Sequence, residues 1–158
     1  MPLDWPVVFS GLVGAVIGGT VTAGVHLWKL RRDEFGARCD ELCKAILDAS
    51  EKAAEYWSQQ FTPTDEPKGR ILEARLLGMQ ALIDGLTSQV INRFIVEDKA
   101  AIQDALSDLF DGLTGGEFST AGRSVDRFRT SKASQVSGGL IPLIRAAHRR
   151  TLPFRLGR

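Results

Sequence analysis

The sequence predicts an all-α protein: one N-terminal transmembrane helix that continues into a cytoplasmic bundle of about four helices. Three observations carry that prediction. From Val7 to Leu27 the chain has no Asp, Glu, Lys or Arg. Cations follow this run at once, as Lys29, Arg31 and Arg32. Beyond it, apolar residues recur at spacings of three and four, with no convincing strand-like alternation.

A helix rises ~1.5 Å per residue, so a run of this length just crosses a hydrocarbon core of ~30 Å. Residues 1–4 are then a short external N-terminus and residues 5–28 the span. Trp5 and Trp28 stand at its two ends, where aromatic side chains favour the membrane interface. A cleaved signal peptide carries its positive charge before the apolar run, and here only Asp4 precedes it. A buried soluble helix fits poorly with Gly11, Gly14, Gly18, Gly19 and Gly24, because each costs ~1 kcal/mol against Ala in water. The positive-inside bias places the C-terminal bulk in the cytoplasm of a bacterial cell, with the helix in the inner membrane.

The same glycines predict self-association. Ser10, Gly14, Gly18, Thr22 and His26 form one row at four-residue spacing, with Gly11, Ala15, Gly19 and Ala23 beside it. Small residues so spaced let helix backbones approach closely in lipid. The expected oligomer interface is Gly11, Gly14, Ala15, Gly18, Gly19 and Thr22. Two adjacent ridges suit a homo-oligomer of three or more. No ring of acidic or basic residues marks a selective pore.

The cytoplasmic helical domain covers residues 29–150. Its first helix spans about Lys29 to Gln59, with Phe35, Cys39, Leu42, Cys43, Ile46, Leu47, Ala53, Ala54 and Trp57 on one stripe. Gly36 marks a place where it can bend. Cys39 and Cys43, the only cysteines, read as small buried hydrophobes, and Tyr56 and Trp57 as core. Phe61 to Gly69, with Pro63 and Pro67, reads as a loop. A helix over about Arg70 to Phe94 is lined on one side by Leu72, Leu76, Met79, Ile83, Leu86, Val90 and Phe94, with Ile71, Leu82 and Ile91 widening it. Another, about Asp98 to Leu113, buries Ile102, Leu106, Leu109, Phe110 and Leu113 and stops at Gly115-Gly116. Residues 117–132 fit a short helix or a basic loop equally. The last helix covers about Lys132 to Arg150. Gly138, Gly139 and Pro142 weaken its first half, which allows a start as late as Ile141. Residues 151–158 form a basic tail.

Net charge is +1, but residues 1–122 hold 11 Lys/Arg against 18 Asp/Glu, and residues 123–158 hold nine against one. That asymmetry points to an electrostatic partner for the C-terminal part. Arg145, His148, Arg149 and Arg150 form the candidate anion-binding group, for lipid headgroups, a nucleotide or nucleic acid. Cations at a helix C-terminus also suit the helix dipole without any ligand.

No phosphate-binding loop, paired-histidine zinc helix, dinucleotide fingerprint or nucleophile elbow occurs. Neither histidine sits beside a nucleophile. The sequence thus nominates no catalytic residue, cofactor or metal, and it reads as a non-enzyme. The partners it implies are the bilayer, further copies of itself and a protein or signal acting on the cytoplasmic domain. Such a scaffold or effector would act through its membrane helix, as in membrane disruption during phage defence or lysis. The alternative is a tethered docking module whose Arg-rich end binds the anion.

Overall fold

A computed structural model describes the backbone of residues 5–60, 66–120 and 122–151, and side chains within those ranges from Gly18 onward. Among the described residues the chain is all helical: α1 (Trp5–Ser58), α2 (Glu66–Val90), α3 (Val96–Thr114) and α4 (Arg127–Arg150), with a 3-10 turn at Ile91–Arg93 and no strand. It divides into two compact units, Met1–Ala37 and Arg38–Arg158.

In the first unit the helix is exposed along its described length, from Gly18 to Glu34. The Thr22 hydroxyl donates to the Gly18 carbonyl at 2.8 Å, so this polar group is satisfied within its own helix. The Arg32 guanidinium lies 5.2 Å from the Trp28 ring centroid. Among the described residues no helix is long and apolar enough to cross a membrane. The structure therefore lends no support to the span expected over residues 5–28. That run is cut by the limit of description: side chains of residues 5–17, and so Gly11, Gly14 and Ala15, lie outside the described residues. Gly36 does not interrupt α1.

The second unit holds the core. Along α1, Cys39, Leu42, Cys43, Ile46, Ala49, Ala53, Tyr56 and Trp57 are all buried, the three-and-four rhythm of a helix packed on one side. Both cysteines are free thiols. Leu76 and Ile83 from α2, Ile102 and Leu109 from α3, and Leu140 and Ile144 from α4 complete the interior. α3 and α4 pack closely against each other at Gly112 and Ala133. A methyl group added at Gly112 would sit 3.3 Å from the Ala133 backbone, so only glycine lets these helices meet there undisturbed. One polar pair is buried in this core: Ser137 donates to the Ser50 hydroxyl at 3.3 Å.

Helix boundaries differ from expectation in three places, each for a local reason. α2 begins at Glu66, inside the expected loop, because Pro67 falls in a first turn where no backbone donor is needed. It ends at Val90, and the 3-10 turn carries the chain on to Phe94, whose N–H donates to the Ile91 carbonyl at 3.2 Å. α4 begins at Arg127, well before Lys132 or Ile141. Asp126 caps it by accepting the Arg129 N–H at 2.9 Å. The helix then runs through Gly138, Gly139 and Pro142, all on its exposed side, where water can satisfy the carbonyl that a proline leaves without a donor. Residues 117–120 and 122–132 are thus part turn, part strap and part helix.

Candidate functional site

The densest polar constellation of the second unit surrounds the C-terminal end of α1. A helix end leaves carbonyls without intrahelical donors and carries partial negative charge. Here the strap between α3 and α4 supplies both donor and cation. The Arg123 Nη2 donates to the Tyr56 carbonyl at 2.6 Å and to the Gln59 carbonyl at 3.4 Å. The Asp126 N–H donates to the Trp57 carbonyl at 3.0 Å. The Arg123 guanidinium also lies over two π faces, 4.0 Å from the Tyr56 centroid and 4.6 Å from that of Trp57. The residue is only 2% exposed, so its charge is held by dipoles and rings instead of water.

Trp57 ties the same end of α1 to α3. Its indole N–H is shared between the Gly112 and Leu113 carbonyls, at 3.1 and 3.2 Å. Tyr56, edge-on to Trp57 at 4.9 Å, donates its hydroxyl hydrogen to Glu73 Oε1 of α2 at 2.9 Å and accepts the Ser119 N–H at 3.0 Å. Ser119 in turn donates its hydroxyl to Glu73 Oε2 at 2.9 Å. Burial raises the Tyr56 phenol above its ordinary value against the opposing pull of the Ser119 N–H, so it stays a donor. Ser119 has φ +62°, a left-handed backbone that presents its N–H to the phenol.

Outside this layer runs a second arginine. Arg129 bonds the Asp111 carbonyl and approaches the carboxylates of Asp111 at 3.7 Å and Asp126 at 3.6 Å. Lys132 reaches Asp111 Oδ2 at 2.6 Å, and chiefly that hydrogen bond lowers the Asp111 carboxyl. Gly116 has φ +64°, and a side chain there would strike the Arg129 guanidinium at 2.6 Å. An open cleft of about 890 Å³ lies over the assembly, lined by Trp57, Gln60, Glu117, Arg127 and Arg129 among others. Its walls mix both signs of charge, and Arg123 and Arg129 are already committed to the carbonyls and carboxylates of their own chain. The arrangement clamps α1, α2, α3 and α4 together. Among the described residues no group of three His, Cys, Asp or Glu could hold a metal ion.

The residues singled out from sequence lie elsewhere. Gly18, Gly19 and Thr22 are exposed in the first unit, and nothing lies within 4 Å of a Cβ added at either glycine. Of the basic group on α4, Arg150 forms an ion pair with the buried Asp98 of α3. The Arg145 guanidinium acts on the Cys43 thiol and pulls it downward. At 100° per residue, Arg145, His148 and Arg149 share one side of α4 and Arg150 turns away from them. Both thiols of α1 hold their protons: burial first, and the neighbouring Cys43 and Asp40 next, push Cys39 up to about 11, and burial raises Cys43 against the pull of Arg145.

Sequence reading missed the clamp. Its signal was present in the interleaved arginines of residues 123–129 and the Tyr-Trp pair at the end of an amphipathic helix, since a buried helix terminus calls for cationic donors. Compared with protein-family models, curated proteins and solved structures, the chain has no match.

Proposed function

We propose that this chain is a self-associating helical effector or scaffold of the bacterial inner membrane. Its N-terminal helix crosses the bilayer once, and its C-terminal bundle lies in the cytoplasm, where it receives a protein partner or signal. Engagement of the bundle clusters the glycine-faced helices, and crowded spans disturb the bilayer. The proposal assigns the chain no catalytic step.

The observation that carries this reading is the exposure of the first unit's apolar helix. Val21, Val25, Leu27 and Leu30 are each more than half exposed, on several sides of α1, with the charge-free residues 7–17 immediately before them. A chain immersed in water covers such side chains or pays for their hydration; lipid and neighbouring helices supply the missing cover. The open space at Gly18 and Gly19 and the internally satisfied Thr22 hydroxyl suit close packing against other helices. The docking alternative is weakened by the commitment of Arg150 to Asp98.

The test is the native mass of the full chain in nanodiscs or mild detergent, beside Gly14→Leu and Gly18→Leu. Oligomers that fall to smaller species in the leucine variants support packing through this face. An unchanged mass in both variants refutes it.

A further inference from the structure

We propose that the outward face of α2 is a docking surface for a second copy of this chain, with the two α2 helices antiparallel about Leu77. α2 is apolar on two sides. One side, with Leu72, Leu76, Ile83 and Leu86, is buried in the bundle. The other carries Ile71, Leu77 and Leu82, each more than half exposed, and between them Ala74, Gly78, Ala81 and Gly85, also exposed. Ile71, Ala74, Gly78, Ala81, Gly85 and Ser88 follow one another at alternating steps of three and four, the rhythm of a seam between two paired helices.

The glycines argue that something approaches this face. Each costs the helix roughly 1 kcal/mol against Ala. Nothing among the described residues requires them, because an added Cβ at Gly78 or Gly85 meets none of their atoms within 4 Å. A second helix backbone resting on the seam does require that room.

Charge selects the occupant. Arg70, Leu77 and Asp84 are spaced by seven, so they line one edge of the seam, with opposite charges equidistant from Leu77. In an antiparallel pair like edges meet. Arg70 then faces the partner's Asp84, Asp84 faces the partner's Arg70, and Leu77 meets the partner's Leu77. Asp84 makes no ion pair among the described residues, and Arg70 pairs only with Glu66 of its own turn, both exposed. Arg75, on the opposite edge, comes level with the partner's Met79, so no like charges are opposed. In a parallel pair unlike edges meet, so Arg70, Leu77 and Asp84 would face the edge that carries the partner's Arg75 and Leu82, and the pairing of Arg70 with Asp84 would be lost. A self-complementary edge of this kind fits an isologous dimer. This contact uses no residue of α1, so it stands or falls separately from the helix packing proposed above.

The test is oxidative cross-linking of the full chain in mild detergent, with single cysteines introduced by Leu77→Cys or Ser88→Cys. Both positions are exposed, and circular dichroism checks that the fold is retained. The proposal expects a covalent dimer with Leu77→Cys and little with Ser88→Cys, which lies far from the two-fold axis. Equal cross-linking at both positions, or none at position 77, overturns it. In the Leu77→Cys background, Asp84→Arg is expected to slow cross-linking roughly tenfold, and adding Arg70→Asp to restore it, because the pair is then only exchanged. A rate indifferent to Asp84→Arg overturns the proposal. Loss of oligomer mass in Gly18→Leu with position 77 still cross-linking would refer to α1 alone and leave this interface standing.

Discussion

Replacing Arg123 by Met isolates the contribution of the clamp. The substitution keeps most of the side-chain stem and removes the guanidinium from the end of α1. Its donation to the Tyr56 carbonyl at 2.6 Å is a charged hydrogen bond in a buried setting, worth about 1.5–3 kcal/mol. The two ring contacts, at 4.0 and 4.6 Å, add on the order of 1–2 kcal/mol. Release of a buried cation from its desolvation cost offsets part of that. A net loss of about 3 kcal/mol follows, which corresponds to a fall of roughly 10 °C in Tm for a unit of this size. Thermal melting of the full chain in mild detergent, followed by far-ultraviolet circular dichroism, reads it out. Arg123→Lys is expected to fall between the two, since a lysine keeps the charge but cannot stack its donor plane over Tyr56 and Trp57. A melting point for Arg123→Met within about 2 °C of the parent would refute the reasoning, because the clamp would then contribute less than one ordinary hydrogen bond.

Three further outcomes are expected. Gly112→Val should destabilise the α3–α4 contact by about 2 kcal/mol or more, seen in the same melts, because its side chain would enter the Ala133 backbone. Cys39 and Cys43 should resist thiol reagents at pH 8 in the folded chain and react at once on unfolding. The raised thiol of Cys39 also sets a sign: its contribution is fully present below the unfolded value of about 8.5 and is lost as pH rises toward about 11, so stability should decline across that alkaline window. Asp111 has the opposite sign. Its carboxyl is lowered by Lys132 and Arg129, so the benefit is present above about pH 4 and lost as pH falls through the folded value; Asp111→Asn should flatten that acid limb of the stability profile slightly, given how exposed the pair is.

The bundle was legible wherever periodicity governed it. The stripes ending in Trp57, Val90 and Leu113 are buried over most of their length, because amphipathic patterning reports burial, but Leu47, Ile71 and Leu82, which the same spacing placed on those stripes, are exposed. Boundaries were less legible. Pro67, Gly138, Gly139 and Pro142 read as breakers, yet Pro67 stands in a first turn and the other three face outward, so the costs that make them breakers were not incurred. The clamp escaped because it joins residues far apart in the chain: Tyr56 and Trp57 on α1, Glu73 on α2, Gly112 on α3 and Arg123 on the strap. No local pattern encodes which arginine will reach a helix end. The basic group on α4 was assembled from sequence proximity, and helix geometry separates Arg150 from the others. Of the small-residue face in α1, Gly11, Gly14 and Ala15 lie outside the described residues, while Gly18, Gly19 and Thr22 are exposed.

The most direct test of the central claim is alkaline carbonate extraction of bacterial membranes that contain the full chain. A helix that crosses the bilayer stays in the membrane pellet, since extraction breaks electrostatic attachment and leaves buried apolar surface in place. The account predicts retention in the pellet. Release of the chain into the supernatant would contradict it, and would assign the exposed apolar residues of α1 to a protein interface instead of lipid.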